Sequence, residues 1–237
     1  METIHTYRHI VDVKIVNLFE SAIKEVLKKH VPKKLGFLGL VANYDKKEHH
    51  DIDLLIFPAT DVKIGEVLIE LTELYAEIEK ELKKEHERYY LATCTKKVMQ
   101  ELVYYLASIE EGAPGLIPVH SLFFPDHRSF KRFNPISFEK EVKKHLIPLY
   151  GNFDVIKKVR VLPQEKLEPY FVILDFEMSA RIKTFPRHNI RASAESLFCY
   201  LKDKYGLNVI NKIPYEVKEI EKEFVRLMRI LDEKTYN

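Results

Sequence analysis

The residues best suited to chemistry lie together in GLVANYDKKEHHDIDLLIF, residues 39–57. Asp51 and Asp53 stand two apart, so on an extended strand both carboxylates project to the same face. Two carboxylates a few ångströms apart repel unless a cation lies between them. Hard oxygen ligands favour magnesium or manganese. Magnesium takes few protein carboxylates and completes its shell with water and substrate phosphate. Phosphoryl and nucleotidyl transfer use that arrangement, because the metal neutralises charge on the reacting phosphate. In a plainer alternative both acids face solvent on an edge strand, with Ile52 and Leu54 turned to the core. His49 and His50 precede the acids, and His-His-Asp-x-Asp could hold a transition metal through mixed ligands. Adjacent turn histidines are otherwise simply exposed.

Such side chains need strands and helices to hold them. Residues 8–30 carry Ile15, Leu18, Phe19, Ala22 and Val26 at helical spacing, and Pro32 ends the segment. LGFLGLVANY (35–44) and DIDLLIF (51–57) have strand character, joined by the polar KKEHH. Thr60 or Asp61 can cap a long helix striped by Ile64, Val67, Leu68, Leu71, Leu74, Ile78 and Leu82. RYYLATCT (88–95) predicts a strand. Val98, Leu102, Tyr105, Leu106 and Ile109 predict a helix closed by Gly112, and LIPVHSLFF (116–124) a further strand. After Pro125 and a loop, DHRSFKRFNP, every strong signal is helical. One helix is capped by Ser137, carries Phe138, Val142, Leu146 and Leu149, and stops before Gly151. Another carries Leu167, Phe171, Leu174, Met178 and Ile182, with Pro169 in its first turn. A third is marked by Ile190, Ala194, Leu197, Phe198, Leu201 and Tyr205, and a last by Val217, Ile220, Phe224, Leu227, Met228 and Leu231. The expected fold class is α+β: a mixed sheet with flanking helices over residues 1–130, then an all-α helical bundle over residues 131–237.

Residues 39–57 resemble the nucleotidyltransferase superfamily, which contains DNA polymerase beta and the minimal nucleotidyltransferases. The family sets Gly-Ser on one strand and Asp-hydrophobic-Asp on the next. Gly39, Ala42, Asp51, Ile52 and Asp53 keep its spacing, and a helix precedes and a long helix follows, as in the family. The resemblance covers about residues 8–125. It implies a nucleotidyltransferase-like sheet in which Asp51 and Asp53 are the catalytic metal ligands for Mg²⁺ or Mn²⁺. Gly39 would let a nucleotide phosphate approach the backbone, with Leu40 and His50 beside it. The departures are specific. Leu40 stands where the family has Ser, and Tyr44 where it has a second Gly. The strand RYYLATCT carries no acid to serve as the family's third carboxylate. Glu87 before it and His120 on the next strand are the substitutes. Two functions follow: nucleotidyl transfer from a nucleoside triphosphate to an unknown acceptor, or a degenerate relative that binds nucleotide, RNA or a protein partner without turnover.

Residues 120–160 hold nine Lys/Arg against four Asp/Glu. Arg128, Lys131 and Arg132 are candidates for acceptor or phosphate contacts; a solvated helical face is the alternative. Glu177 pairs with Arg181 at i,i+4, or supplies a general base together with Asp175. Arg181 and His188 have the Arg-x6-His spacing of helical ribonuclease domains often encoded beside minimal nucleotidyltransferases. Cys94 and Cys199 lack any metal-ligand spacing and are expected as buried thiols. Lys and Glu abundance with only two glutamines is a bias of heat-adapted proteins. No apolar run approaches the roughly 18 residues of a membrane span, and the N-terminus lacks a secretory layout. The protein is therefore expected in the cytoplasm. Its expected partners are a nucleoside triphosphate and an RNA or small-molecule acceptor; homodimerisation is allowed, and no membrane is involved.

Overall fold

The structure is a computed structural model that describes residues 11–49, 51–87, 89–93, 116–133, 136–181, 187–214 and 216–237. The expected helix over 98–109, Cys94 and His50 lie outside the described residues.

A short strand β1 (Val11–Asp12) leads into α1 (Val13–Lys29), whose N-cap is Asp12, its carboxylate accepting from the Lys14 amide. Strands β2 (Leu35–Val41), β3 (Glu48–His49) and β4 (Ile52–Pro58) follow, then α2 (Ile64–Glu85), β5 (Tyr90–Thr93) and β6 (Leu116–Phe123). Beyond these come α3 (His127–Phe133), α4 (Ile136–His145), β7 (Leu146–Gly151), a 3-10 helix (Phe153–Lys158), α5 (Gln164–Arg181), α6 (Arg187–Tyr205) and α7 (Val217–Tyr236). The fold is α+β. Its mixed five-stranded sheet has the order β5-β6-β4-β2-β7, and β1 pairs with β3 apart from it. β2 is antiparallel to both β4 and β7, whereas β4, β6 and β5 run parallel.

The alternation of side chains sorts this sheet into two faces. Leu38, Leu40, Ile52, Leu54, Ile56, Ile117 and Val119 are buried in one cluster with Phe19 and Ile23 of α1 and Val67, Leu71 and Ile78 of α2. Phe37, Leu55, Phe57, Leu122 and Phe124 form the other, covered by Val142 of α4, Ile156 of the 3-10 helix and the partly buried Phe130 and Phe153. Tyr170 and Ile173 of α5 and Leu227 and Leu231 of α7 join the first cluster. Chain on both sides of residue 130 thus contributes to one sheet and one core.

Five local expectations are corrected. The helix expected to carry Leu146 and Leu149 ends at His145, and both residues belong to β7. Pro148 biases Ile147 toward extended backbone, and its missing N–H is tolerated because β7 is an edge strand. The segment expected as a loop after Pro125 forms α3, with the Asp126 carboxylate accepting from the Ser129 amide at 2.7 Å. α2 is not capped by Thr60 or Asp61. Its N-cap is Lys63, without a side-chain hydrogen bond, and partners from α7 serve instead. The Gly65 amide donates to Asp232 at 2.9 Å and the Ile64 amide to the Tyr236 hydroxyl at 3.2 Å. α5 starts at Gln164, just after Pro163, so Pro169 lies beyond the first turn. Cys199 is exposed, because the stripe Ala194, Leu197, Phe198 and Leu201 turns the opposite side of α6 to the core.

Candidate metal centre

β4 is the middle strand of the sheet, so Asp53 is not on an edge. Asp53 is paired with Val41 of β2 on one side and with His120 of β6 on the other. Asp51 sits in the bend just before β4. His120 shares the face of Asp53: its neighbour Ser121 points the other way, its hydroxyl 2.9 Å from the Tyr75 hydroxyl of α2. Strand alternation places Asp53 and His120 on the face of Leu55, Phe57 and Leu122. The aromatic and aliphatic cover of that face stops short of them. The side chains of His120 and Asp53 keep 39% and 34% of their exposure, against 0% for Leu55 and Phe57.

One ligand atom from each of Asp51, Asp53 and His120 lies within 4.8 Å of the others. His120 Nδ1 is 3.1 Å from Asp53 Oδ1. Among the described residues the group contains no third carboxylate. The strand next to Asp53 is β6 rather than β5, because β6 lies between β4 and β5. That order makes His120, and not a residue of RYYLATCT, the register partner of Asp53. Glu87 is exposed and stands outside the group. His49 is paired with Val11 and is likewise not a member; its Nε2 is buried without a hydrogen-bond partner among the described residues.

The other sequence candidates are placed differently. Leu40 is fully buried against α1 and α2, so its side chain faces away from the centre. Gly39 has a packing reason: an added Cβ would meet Leu146 Cδ1 at 2.7 Å and the Phe37 ring at 2.9 Å. Both its edges are paired, with Leu55 and with Pro148. Arg128, Lys131 and Arg132 lie on α3, past the end of β6. From His120 the strand runs three more residues, about 10 Å at ~3.3 Å per residue, in the direction away from Asp51. Arg128 donates to the Leu162 carbonyl and Arg132 to Gln164, where both line a cavity of about 510 Å³ with Phe171. The structure therefore does not bring Arg128, Lys131 and Arg132 to the acids.

Another part of the basic stretch 120–160 comes to the centre's end of the sheet, although Arg128, Lys131 and Arg132 are the residues expected there. The Ala42 amide donates to the His145 carbonyl at 3.0 Å, and Leu146 pairs with Val41, itself opposite Asp53. At about 4.8 Å between strands, Leu146 stands about 10 Å from Asp53 along this row. The last turn of α4, with the exposed Lys143 and Lys144, ends there. Tyr44 gives its hydroxyl to Glu20 of α1. Its phenol is pushed well above the ordinary range by burial and by the Glu20 carboxylate. The turn position that is Gly in the resembled family is thereby tied to α1. Arg181 ends α5 and His188 lies in the first turn of α6, with residues 182–186 between them outside the described residues.

No family model, no curated protein and no solved structure matches the chain. Among the described residues no helix is long and apolar enough to cross a membrane.

Proposed function

We propose that this protein is a divalent-cation-dependent nucleotidyltransferase, taking a nucleotidyl group from a nucleoside triphosphate to an RNA end or a small hydroxyl compound. The observation that carries the reading is the convergence of Asp51, Asp53 and His120 within 4.8 Å at the open end of a sheet face. The donors fit a divalent cation, since two carboxylates supply charge and the half-exposed setting leaves room for water and phosphate oxygens. Mg²⁺ or Mn²⁺ would supply charge neutralisation at the reacting phosphate. In this reading Asp51 and Asp53 hold the cation, and Lys143 and Lys144 add positive potential for a polyphosphate. The antiparallel pair β2–β4, preceded by α1 and followed by α2, supports a nucleotidyltransferase-like arrangement. α5 to α7 would be its helical C-terminal part. A triphosphate substrate accords with a cytoplasmic location.

A second reading, a degenerate relative that binds without turnover, is favoured by the burial of Leu40 where the family has a hydroxyl. Triphosphate turnover with Mg²⁺ or Mn²⁺, measured against small hydroxyl compounds, RNA ends and proteins, separates the two. Turnover is expected in the wild type. In Asp51→Asn and Asp53→Asn it should fall by about 100-fold or more, since removing a ligand costs at least as much as removing its outer support. Activity that survives both substitutions overturns the assignment. Calorimetric binding of triphosphate without turnover selects the second reading.

A further inference from the structure

We infer that the Asp51–Asp53–His120 centre selects a first-row transition ion, such as Mn²⁺, Co²⁺ or Zn²⁺, over Mg²⁺. The inference rests on the cation site of the proposed function and concerns which ion that site takes.

The spacing of the two closest donors is the first support. Two ligand atoms each about 2.1 Å from one ion, at angles near 90–110°, are about 3.0–3.4 Å apart. His120 Nδ1 and Asp53 Oδ1 are in hydrogen-bond contact at 3.1 Å, a separation that also fits two neighbouring ligands on a shared ion. Asp51 brings a second carboxylate within 4.8 Å.

Donor chemistry is the second support. Mg²⁺ demands hard oxygen ligands in near-octahedral geometry, whereas imidazole nitrogen suits borderline ions such as Zn²⁺, and affinity for a mixed nitrogen and oxygen site rises from Mn²⁺ along the Irving–Williams order. No side chain of β6 offers oxygen in place of His120. Val119 and Leu122 are buried and apolar, and the Ser121 hydroxyl is taken by Tyr75 on the other face. On the β2 side the register partner of Asp53 is Val41. The parallel pairing of β4 with β6 holds His120 at its position, so the nitrogen is a built part of the centre.

The number and exposure of the donors decide the type of site. Three protein donors on a half-exposed surface leave positions for water and substrate oxygens, as in catalytic sites, whereas structural zinc sites are closed by four. Ca²⁺ is disfavoured because it takes about 6–8 oxygens.

The test uses the full-length protein stripped of metal. Calorimetric titration with Mn²⁺, Zn²⁺ and Mg²⁺ should show Mn²⁺ and Zn²⁺ bound about tenfold or more tightly than Mg²⁺. With Mn²⁺ bound, electron spin-echo spectroscopy on the wild type should show coupling to one imidazole nitrogen. That coupling should be lost in His120→Ala. His120→Asp should narrow the preference, raising Mg²⁺ affinity relative to that for Zn²⁺. Equal or tighter Mg²⁺ binding by the wild type, or Mn²⁺ bound without nitrogen coupling, overturns the inference and leaves the nucleotidyltransferase reading standing. Transition-ion selectivity in a protein that neither binds nor turns over triphosphate upholds the inference and sinks that reading. No binding of any of the three ions overturns both.

Discussion

Leu40 and Gly39 are neighbours on β2, and each has a structural reason that differs from the one the family pattern suggests. Leu40 is fully buried between the sheet and the helices α1 and α2. Leu40→Ala is expected to cost about 2–5 kcal/mol, the usual range for an emptied core leucine. Leu40→Ser should cost at least as much, since it buries a hydroxyl as well. Neither should raise triphosphate affinity. Urea denaturation and calorimetry on the two variants check this, and a stable Leu40→Ser variant that binds triphosphate more tightly would refute the inward placement. Gly39→Ala would push a methyl into Leu146 and Phe37, at a cost of about 1–3 kcal/mol. A companion Leu146→Ala should recover part of that loss, whereas a phosphate-contact role for Gly39 predicts no such recovery.

α2 illustrates what helices ask of their neighbours. Its first amides are satisfied from α7, by Asp232 and Tyr236, and Asp232 also accepts from the buried Tyr170 hydroxyl of α5 at 2.7 Å. Gly65 permits this approach, since a Cβ there would lie 2.8 Å from the Asp232 carboxylate oxygens. Gly65→Ala is therefore expected to destabilise by about 1–3 kcal/mol, with a smaller penalty in an Asp232→Ala background; a double-mutant cycle on melting curves measures the coupling. Burial raises the Asp232 carboxyl above its ordinary value of 3.8, against the opposing hydrogen bonds from Tyr170 and Gly65. A raised carboxyl contributes stability that is fully present below its unfolded value and is lost as pH rises through the folded value. Between those limits the wild type should lose Tm relative to Asp232→Asn, and the gap between the two curves should be constant at higher pH. A gap that moves the other way would show that the hydrogen bonds outweigh burial.

For the molecule as a whole, the sheet needs cover on both faces, and its two halves of chain share the task. β7 closes the free edge of β2, while Val142 and Ile156 lie over Phe37, Leu55 and Phe57. α5 and α7 pack into the other core with α1 and α2. Residues 1–130 alone would expose one edge of β2 and a row of aromatic rings. This fragment is expected to lack the cooperative melting of the full chain, which should unfold in a single transition followed by circular dichroism. A fragment that melts cooperatively would show that the first half is self-sufficient. The centre owes its position to the same cover. Where the aromatic cluster ends, the sheet face opens, and Asp53 and His120 lie at that margin.

By itself, the sequence determined the α+β class, the strand character within residues 35–44 and 51–57, the stripes of α1, α2, α6 and α7, and the two aspartates as candidate ligands. These are local properties, written in side-chain period and in the i, i+2 spacing of Asp51 and Asp53. Only the tertiary structure decided that β6 lies between β4 and β5, and hence that His120 is the register partner of Asp53. It alone turned Leu146–Gly151 into a strand, through hydrogen bonds to β2 that no local pattern encodes. It also moved Arg128, Lys131 and Arg132 to the far end of the sheet and drew Lys143 and Lys144 toward the acids. The reason is common to all of these: strand order, register and helix docking are set by which apolar faces can be buried together over long separations in sequence, and periodicity names a face without naming its partner.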